Sequence, residues 1–173
     1  MTDVVDKETR SRMMSGIRGK DTKPELLVRR ALHARGLRYL LHSPNLPGKP
    51  DMVFPKYRAV VFVHGCFWHM HDCKYFKLPG SRTEFWREKL LKNRRRDQTV
   101  LDTLQSLGLR VLVIWECATR EARLIDSGAL LIDVIMQWIT GGAPSAEIGP
   151  DGVLHALVPR DESVNNSDSS LAD

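Results

Sequence analysis

Apolar positions along the chain fall into a few blocks, each with its own period and punctuation. After Thr22, residues Leu26, Val28, Ala31, Leu32 and Arg35 repeat at helical spacing between basic flanks. Thr22-x-x-Glu25 reads as a capping box, Pro24 suits the first turn, and Gly36 stops the helix. Pro47-Gly48 and the Pro55–Tyr57 stretch bracket two short strands, near 51–54 and 58–64. The second, RAVVFVH, is an unbroken apolar run, as expected of a strand covered on both faces. Residues 65–83 mix His, Cys and aromatics without a period and read as loop. Glu84 to Leu107 forms one long helix stopped at Gly108, and RVLVIWEC at 110–117 a third buried strand. A last apolar helix lies near 127–139 and ends at Gly141-Gly142. The α-β-β-α-β-α order predicts an α/β sandwich, a small mixed central sheet flanked by helices.

Composition changes this picture mainly at the two ends. The chain has 173 residues, 42% of them hydrophobic, enough for one compact domain, expected over 21–158. Residues 1–20 are polar and basic, with Arg10, Arg12, Arg18 and Lys20 around Met13, Met14 and Ile17. Gly16 and Gly19 argue against a long helix there, so the segment reads as a basic arm. Residues 159–173 set Arg160 against Asp161, Glu162, Asp168 and Asp173 and read as a disordered acidic tail. The body is therefore more basic than the overall net charge of +5 suggests, which favours a polyanionic partner, with surface charge kept for solubility as an equal alternative on charge alone. No apolar run is long enough to span a membrane, and the N-terminus lacks the apolar segment of a secretory signal. Three cysteines are too few for a disulfide scaffold, so a reducing, cytoplasmic setting is expected.

Chemistry concentrates between Asp51 and Asp97. Asp51 opens a strand directly after Gly48-Lys49-Pro50, where a carboxylate at a strand end can serve a hard cation such as Mg²⁺. Pro-Asp is also a common turn, and the Glu-x-Lys of many nuclease sheets is here Phe62-Val63-His64. Cys66, His71 and Cys73 share one loop, and Cys117 follows the third strand, a Cys₃His set suited to structural zinc. His69 is an alternative to His71 in that set, and buried free cysteines are the alternative to zinc. His64 and His69 are candidates for a general base. Phe67-Trp68, Tyr75-Phe76 and Phe85-Trp86 lie among Lys74, Lys77, Arg82, Arg87 and Lys89. Such aromatics either stack on and wedge between bases or form a small satellite core around the zinc. On the long helix Trp86, Lys89, Asn93 and Asp97 share a face that continues as Val100, Leu101 and Leu104. Lys92, Arg94, Arg95 and Arg96 crowd its other faces, which suits phosphates or simply water.

The run from Gly48 through Asp97, closed by RVLVIWEC, resembles the very short patch repair (Vsr) endonucleases. The likeness extends from the basic arm to about Ala156. It implies a restriction-endonuclease-like fold with a structural zinc site and a Mg²⁺ site. It implies nicking of one strand of double-stranded DNA beside a T·G mismatch left by deamination of 5-methylcytosine. Asp51 and the backbone carbonyl of Val63 would bind the Mg²⁺, where family members often have Thr. His69 would activate water, and Glu25, His64 and Asp97 would orient waters or the imidazole. Zinc would sit on Cys66, His71, Cys73 and Cys117. Phe67, Trp68 and Trp86 would wedge from the major groove, Met14 and Ile17 from the minor-groove side. Lys89 and Asn93 would read bases. The resemblance implies a monomer, with mismatch-repair proteins as further partners. A zinc-stabilised DNA-binding module without catalysis and a hydrolase using the zinc itself are the rival readings.

Overall fold

The computed structural model describes residues 8–9 and 19–157. Most of the basic arm, with Met14 and Ile17, and the acidic tail lie outside the described residues. Within them, four α-helices and six strands follow one another along the chain. They are α1 (Lys23–Ala34), β1 (Leu40–Leu41), β2 (Met52–Phe54), β3 (Ala59–His64) and α2 (Thr83–Ser106), followed by β4 (Arg110–Trp115), α3 (Glu116–Asp126), α4 (Ala129–Gly141), β5 (Ala146–Ile148) and β6 (Leu154–Ala156). The strands form one mixed sheet in sequential order. The β1–β2 and β2–β3 pairs are antiparallel, β3–β4 and β4–β5 are parallel, and β6 returns antiparallel to β5.

Alternation along the strands divides the core into two layers. Met52, Phe54, Val61, Leu112 and Ile114 face α1, α3 and α4, through Val28, Leu32, Ala118, Ile135 and Trp138. Val53, Val60, Phe62, Val111 and Val113 face the other way, against Leu101 and Leu104 of α2. Burial on both faces explains why β3 and β4 read as continuous apolar runs. The expected sandwich is present, with differences in the details. The apolar run at 110–117 stops being strand at Trp115; Glu116 begins α3, so Cys117 lies in the first turn of a helix. Nothing in RVLVIWEC breaks the pattern, because the strand passes into the helix without Gly or Pro between them. Ser127 and Gly128, both left-handed, then separate α3 from α4, which begins at Ala129 and runs on to Gly141. β1, β5 and β6, two or three residues each, were not expected, being too short to show a period.

Two glycine requirements shape the layer near the site. Gly48 has φ +69°, and a Cβ there would lie 2.4 Å from Val100 Cγ1, so the loop before Asp51 packs its backbone directly on α2. Gly108, at φ +72°, lets the chain turn from α2 into β4 beside the Arg58 guanidinium.

Candidate active site

The carboxylate of Asp51 stands at the entrance to β2, and its Oδ2 accepts a hydrogen bond of 2.7 Å from the Val63 N–H. Antiparallel pairing of β2 with β3 makes that contact possible, since it brings the start of one strand beside the end of the other. Burial pushes the Asp51 carboxyl up to about 7, with the nearby Glu25 carboxylate adding to the rise and the Val63 N–H and Arg29 opposing it. Charge at this position therefore calls for a cation.

Glu25 approaches from α1. Both halves of the expected capping box form: Thr22 Oγ1 accepts from the Glu25 N–H, and Glu25 Oε2 accepts from the Thr22 N–H. Although it is a cap, Glu25 is 1% exposed, and Arg29 one turn on donates to its Oε1 at 2.9 Å. Arg29 also holds Asp21 at 2.6 Å, and that hydrogen bond is the main reason the Asp21 carboxyl lies below its usual range. His42, not singled out from the sequence, lies 3.3 Å from Glu25 Oε1 and 3.9 Å from Asp51 Oδ1. Arg29 was visible as an i,i+4 partner of Glu25. His42 sits in a short loop with no pattern around it.

On the opposite side, the end of β3 and the 65–83 loop supply the imidazoles of His64 and His69, and α2 supplies Asp97. His69 Nδ1 lies 2.5 Å from Asp97 Oδ2. The His64 ring stacks on that of His69, centroids 3.8 Å apart and nearly parallel. A cleft of about 530 Å³ joins Asp51, Val63, His64, His69 and Asp97 to Lys49 and Arg96. A second cleft of about 770 Å³ shares Val63, His64, His69 and Arg96 and extends to Trp68 and Asn93. The space beside the carboxylate and imidazoles thus opens toward the aromatic loop and toward basic side chains.

Cys66, His71, Cys73 and Cys117 offer four donor atoms all within 4.8 Å of one another. The choice between His71 and His69 resolves geometrically: His71 joins the cysteines while His69 turns to Asp97. Cys117 Sγ and His71 Nδ1 are 3.5 Å apart, close to the ~3.5 Å edge of a tetrahedron built from ordinary zinc–sulfur and zinc–nitrogen lengths. Hydrogen bonds, above all from Cys117, hold the Cys66 thiol down to about 4. The same contact with Cys66 pushes Cys117 up, and burial raises Cys73. The pocket thus stabilises one thiolate readily and resists a second without a cation beside it. The donor set and its spacing fit zinc.

Aromatic side chains gather at the rim. Phe67, Trp68 and Trp86 pack edge to face, with centroids 5.1–6.1 Å apart, and remain partly exposed. Lys89 Nζ lies 5.6 Å from the Trp68 ring centroid and 5.3 Å from that of Trp86. Asn93 donates to the Trp68 carbonyl at 3.2 Å, tying α2 to the loop. Trp115 lies behind both sites: it stacks on His71 at 4.1 Å and meets His64 edge-on at 5.5 Å.

A profile of the family described as DNA mismatch endonuclease Vsr matches residues 2–75. DNA mismatch endonuclease Vsr of Escherichia coli (strain K12) is 45% identical over 153 residues, covering 88% of this chain and 97% of its own. The type II nicking enzyme V.XorIIP of Xanthomonas oryzae pv. oryzae (strain KACC10331 / KXO85) is 48% identical over 130 residues, 75% of this chain and 92% of its own. V.NaeI of Lentzea aerocolonigenes, also a type II nicking enzyme, is 37% identical over 80% of this chain and 83% of its own. By class, then, the protein is an endonuclease. More particularly, it belongs to the Vsr DNA mismatch endonuclease family.

Proposed function

We propose that the protein nicks one strand of double-stranded DNA beside a T·G mismatch left by deamination of 5-methylcytosine, using Mg²⁺, and so initiates very short patch repair. The observation that carries this reading is the short His69–Asp97 pair facing the same cleft as the half-buried Asp51 carboxylate. The six-stranded mixed sheet with helices on both faces is compatible with a restriction-endonuclease-like fold. In domain terms the reading is a basic arm at 1–20, an endonuclease domain at 21–158 and an acidic tail at 159–173.

Asp51 and the Val63 carbonyl would hold the Mg²⁺, which when bound supplies positive charge at the attacked phosphate. Glu25, fixed by the helix cap and Arg29, gives the site a second carboxylate and orients water within it. Asp97 accepts from His69 Nδ1–H, which leaves Nε2 as the basic nitrogen. At Nε2 the imidazole takes a proton from water while the water oxygen adds to phosphorus and a phosphorus–oxygen ester bond breaks, the departing sugar oxygen keeping the bonding pair and taking a proton from solvent. His64, stacked on His69, keeps that ring in its plane. Cys66, His71, Cys73 and Cys117 would hold a zinc whose four positions are all filled by protein, a structural site rather than a reacting one. Phe67, Trp68 and Trp86 would wedge into the duplex from the major groove, with Met14 and Ile17 of the arm on the minor-groove side. Lys89 and Asn93 would read bases near the mismatch, and Arg96 is placed to meet a phosphate in the shared cleft. The protein would act as a monomer in the cytoplasm, with mismatch-repair proteins as partners beyond the DNA.

Asp51→Asn separates this reading from a DNA-binding module. The variant should fold and bind T·G duplex as wild type does, while Mg²⁺-dependent nicking falls by about 10²–10³-fold or more. Full nicking by Asp51→Asn would remove Asp51 from the cation site.

A further inference from the structure

His42 does not belong to any element, yet it touches both carboxylates of the candidate cation site. Its position follows from the sheet. Leu41 pairs with Met52 in the antiparallel β1–β2 ladder, so the next residue pair along that register is His42 and Asp51. His42 turns into the left-handed region at φ 46°, a conformation that histidine tolerates better than most side chains. Its own N–H donates to the Asp51 carbonyl at 3.4 Å. The ring thereby enters the space between α1 and β2, with Nε2 3.3 Å from Glu25 Oε1 and Nδ1 3.9 Å from Asp51 Oδ1. Nε2 is buried and faces Glu25 at ion-pair distance, off the angle of a formed hydrogen bond.

Glu25 is otherwise fully committed, one oxygen to the Thr22 N–H and the other to Arg29. Asp51 has Oδ2 committed to Val63, and Oδ1 is the oxygen that faces His42. The imidazole is thus the one group among the described residues that contacts the Glu25 and Asp51 carboxylates by its two ring nitrogens. We propose that His42 is a positioning residue of the cation site, an aromatic spacer that holds Asp51 at a fixed distance from Glu25 and so sets the affinity of Asp51 for a divalent cation. The inference rests on the reading of Asp51 as a cation ligand. Partners of metal ligands typically govern affinity by about 10- to 100-fold, and an imidazole braced on two carboxylates meets that description.

The test uses the full-length, zinc-loaded protein without DNA, titrated with Mn²⁺ while free Mn²⁺ is followed by electron paramagnetic resonance. The same proteins are then assayed for the Mg²⁺ concentration that half-saturates nicking. His42→Ala should raise both constants by about 10- to 100-fold, with T·G duplex binding in cation-free buffer and the melting temperature unchanged. His42→Gln carries an amide where Nε2 stands and should restore cation affinity. His42→Asn reaches only the position of Nδ1 and should resemble alanine. The Gln and Asn pair decides the matter even if the alanine variant does not fold. Wild-type Mn²⁺ affinity in His42→Asn, or equal losses of affinity and melting temperature in Gln and Asn alike, would overturn the proposal. If wild type neither binds Mn²⁺ nor nicks with Mg²⁺, the cation reading of Asp51 falls, and this one with it.

Discussion

At Asp51 the fold holds a carboxylate where burial and Glu25 both disfavour its charge. Its carboxyl rises from 3.8 to about 7, so the folded protein binds that proton more tightly than the unfolded chain does. The cost to stability therefore begins as pH climbs through 3.8, grows until about 7, and stays constant above. At ~1.4 kcal/mol per pH unit its ceiling is about 4 kcal/mol. Asp51→Asn removes the charge, so in Mg²⁺-free buffer it should be more stable than wild type, with an advantage that widens from pH 5 to pH 8. Denaturant titrations of both proteins at the two pH values check this; an equal difference at both would mean that the carboxylate is well solvated. Much at this scale was legible in the sequence. Asp51 was marked by its place after Gly48-Lys49-Pro50, and three of the four zinc-type donors by their closeness in one polar loop, with Cys117 following a strand. His42 was not, because its meaning comes from a strand register invisible in a two-residue strand.

Among the elements, the loop before β2 and the loop after β3 position the chemistry. Gly48 fixes the first by laying its backbone on Val100 of α2. Gly48→Ala combines a left-handed residue with a 2.4 Å clash against a stiff β-branched side chain. It should cost about 1–3 kcal/mol and impair nicking, with zinc content unchanged. An alanine variant of wild-type stability would show that the loop is free to move. The second loop depends on the cysteine cluster. Wild-type protein should carry one zinc per chain; Cys73→Ser should release it and lower the melting temperature, because such a site contributes folding free energy directly. Metal analysis beside a thermal melt tests this, and zinc-free protein with unchanged melting would refute it. The long, punctuated elements were readable: α1 from its capping box, α2 from its length and Gly108, β3 and β4 from their apolar runs. α3 was hidden by its junction with β4, although Ala118, Thr119 and Ala122 carry a helical period. β5 and β6 are held by sheet pairing, a tertiary cause that three-residue segments cannot display.

Across the whole molecule, both faces of the sheet carry apolar core, and the face toward α2 also carries most of the site. α1 is the exception, since it packs into the core through Val28 and Leu32 and delivers Glu25 at its first turn. Trp115 links the two candidate centres, stacked on His71 and edge-on to His64, so the cysteine cluster and the imidazole pair rest on one buried ring. Under the proposed function, the basic body and the partly exposed aromatic rim would meet a T·G wobble, whose base step opens at lower cost than that of a matched pair. The most direct measurement is cleavage of end-labelled duplexes, each strand labelled in turn, carrying either T·G or a matched C·G pair in one context, with Mg²⁺ and without. A single nick beside the mismatch is expected, confined to the thymine strand, present only with T·G and only with Mg²⁺. Cleavage of the matched duplex at the same rate, nicks in both strands, or full activity without Mg²⁺ would contradict it.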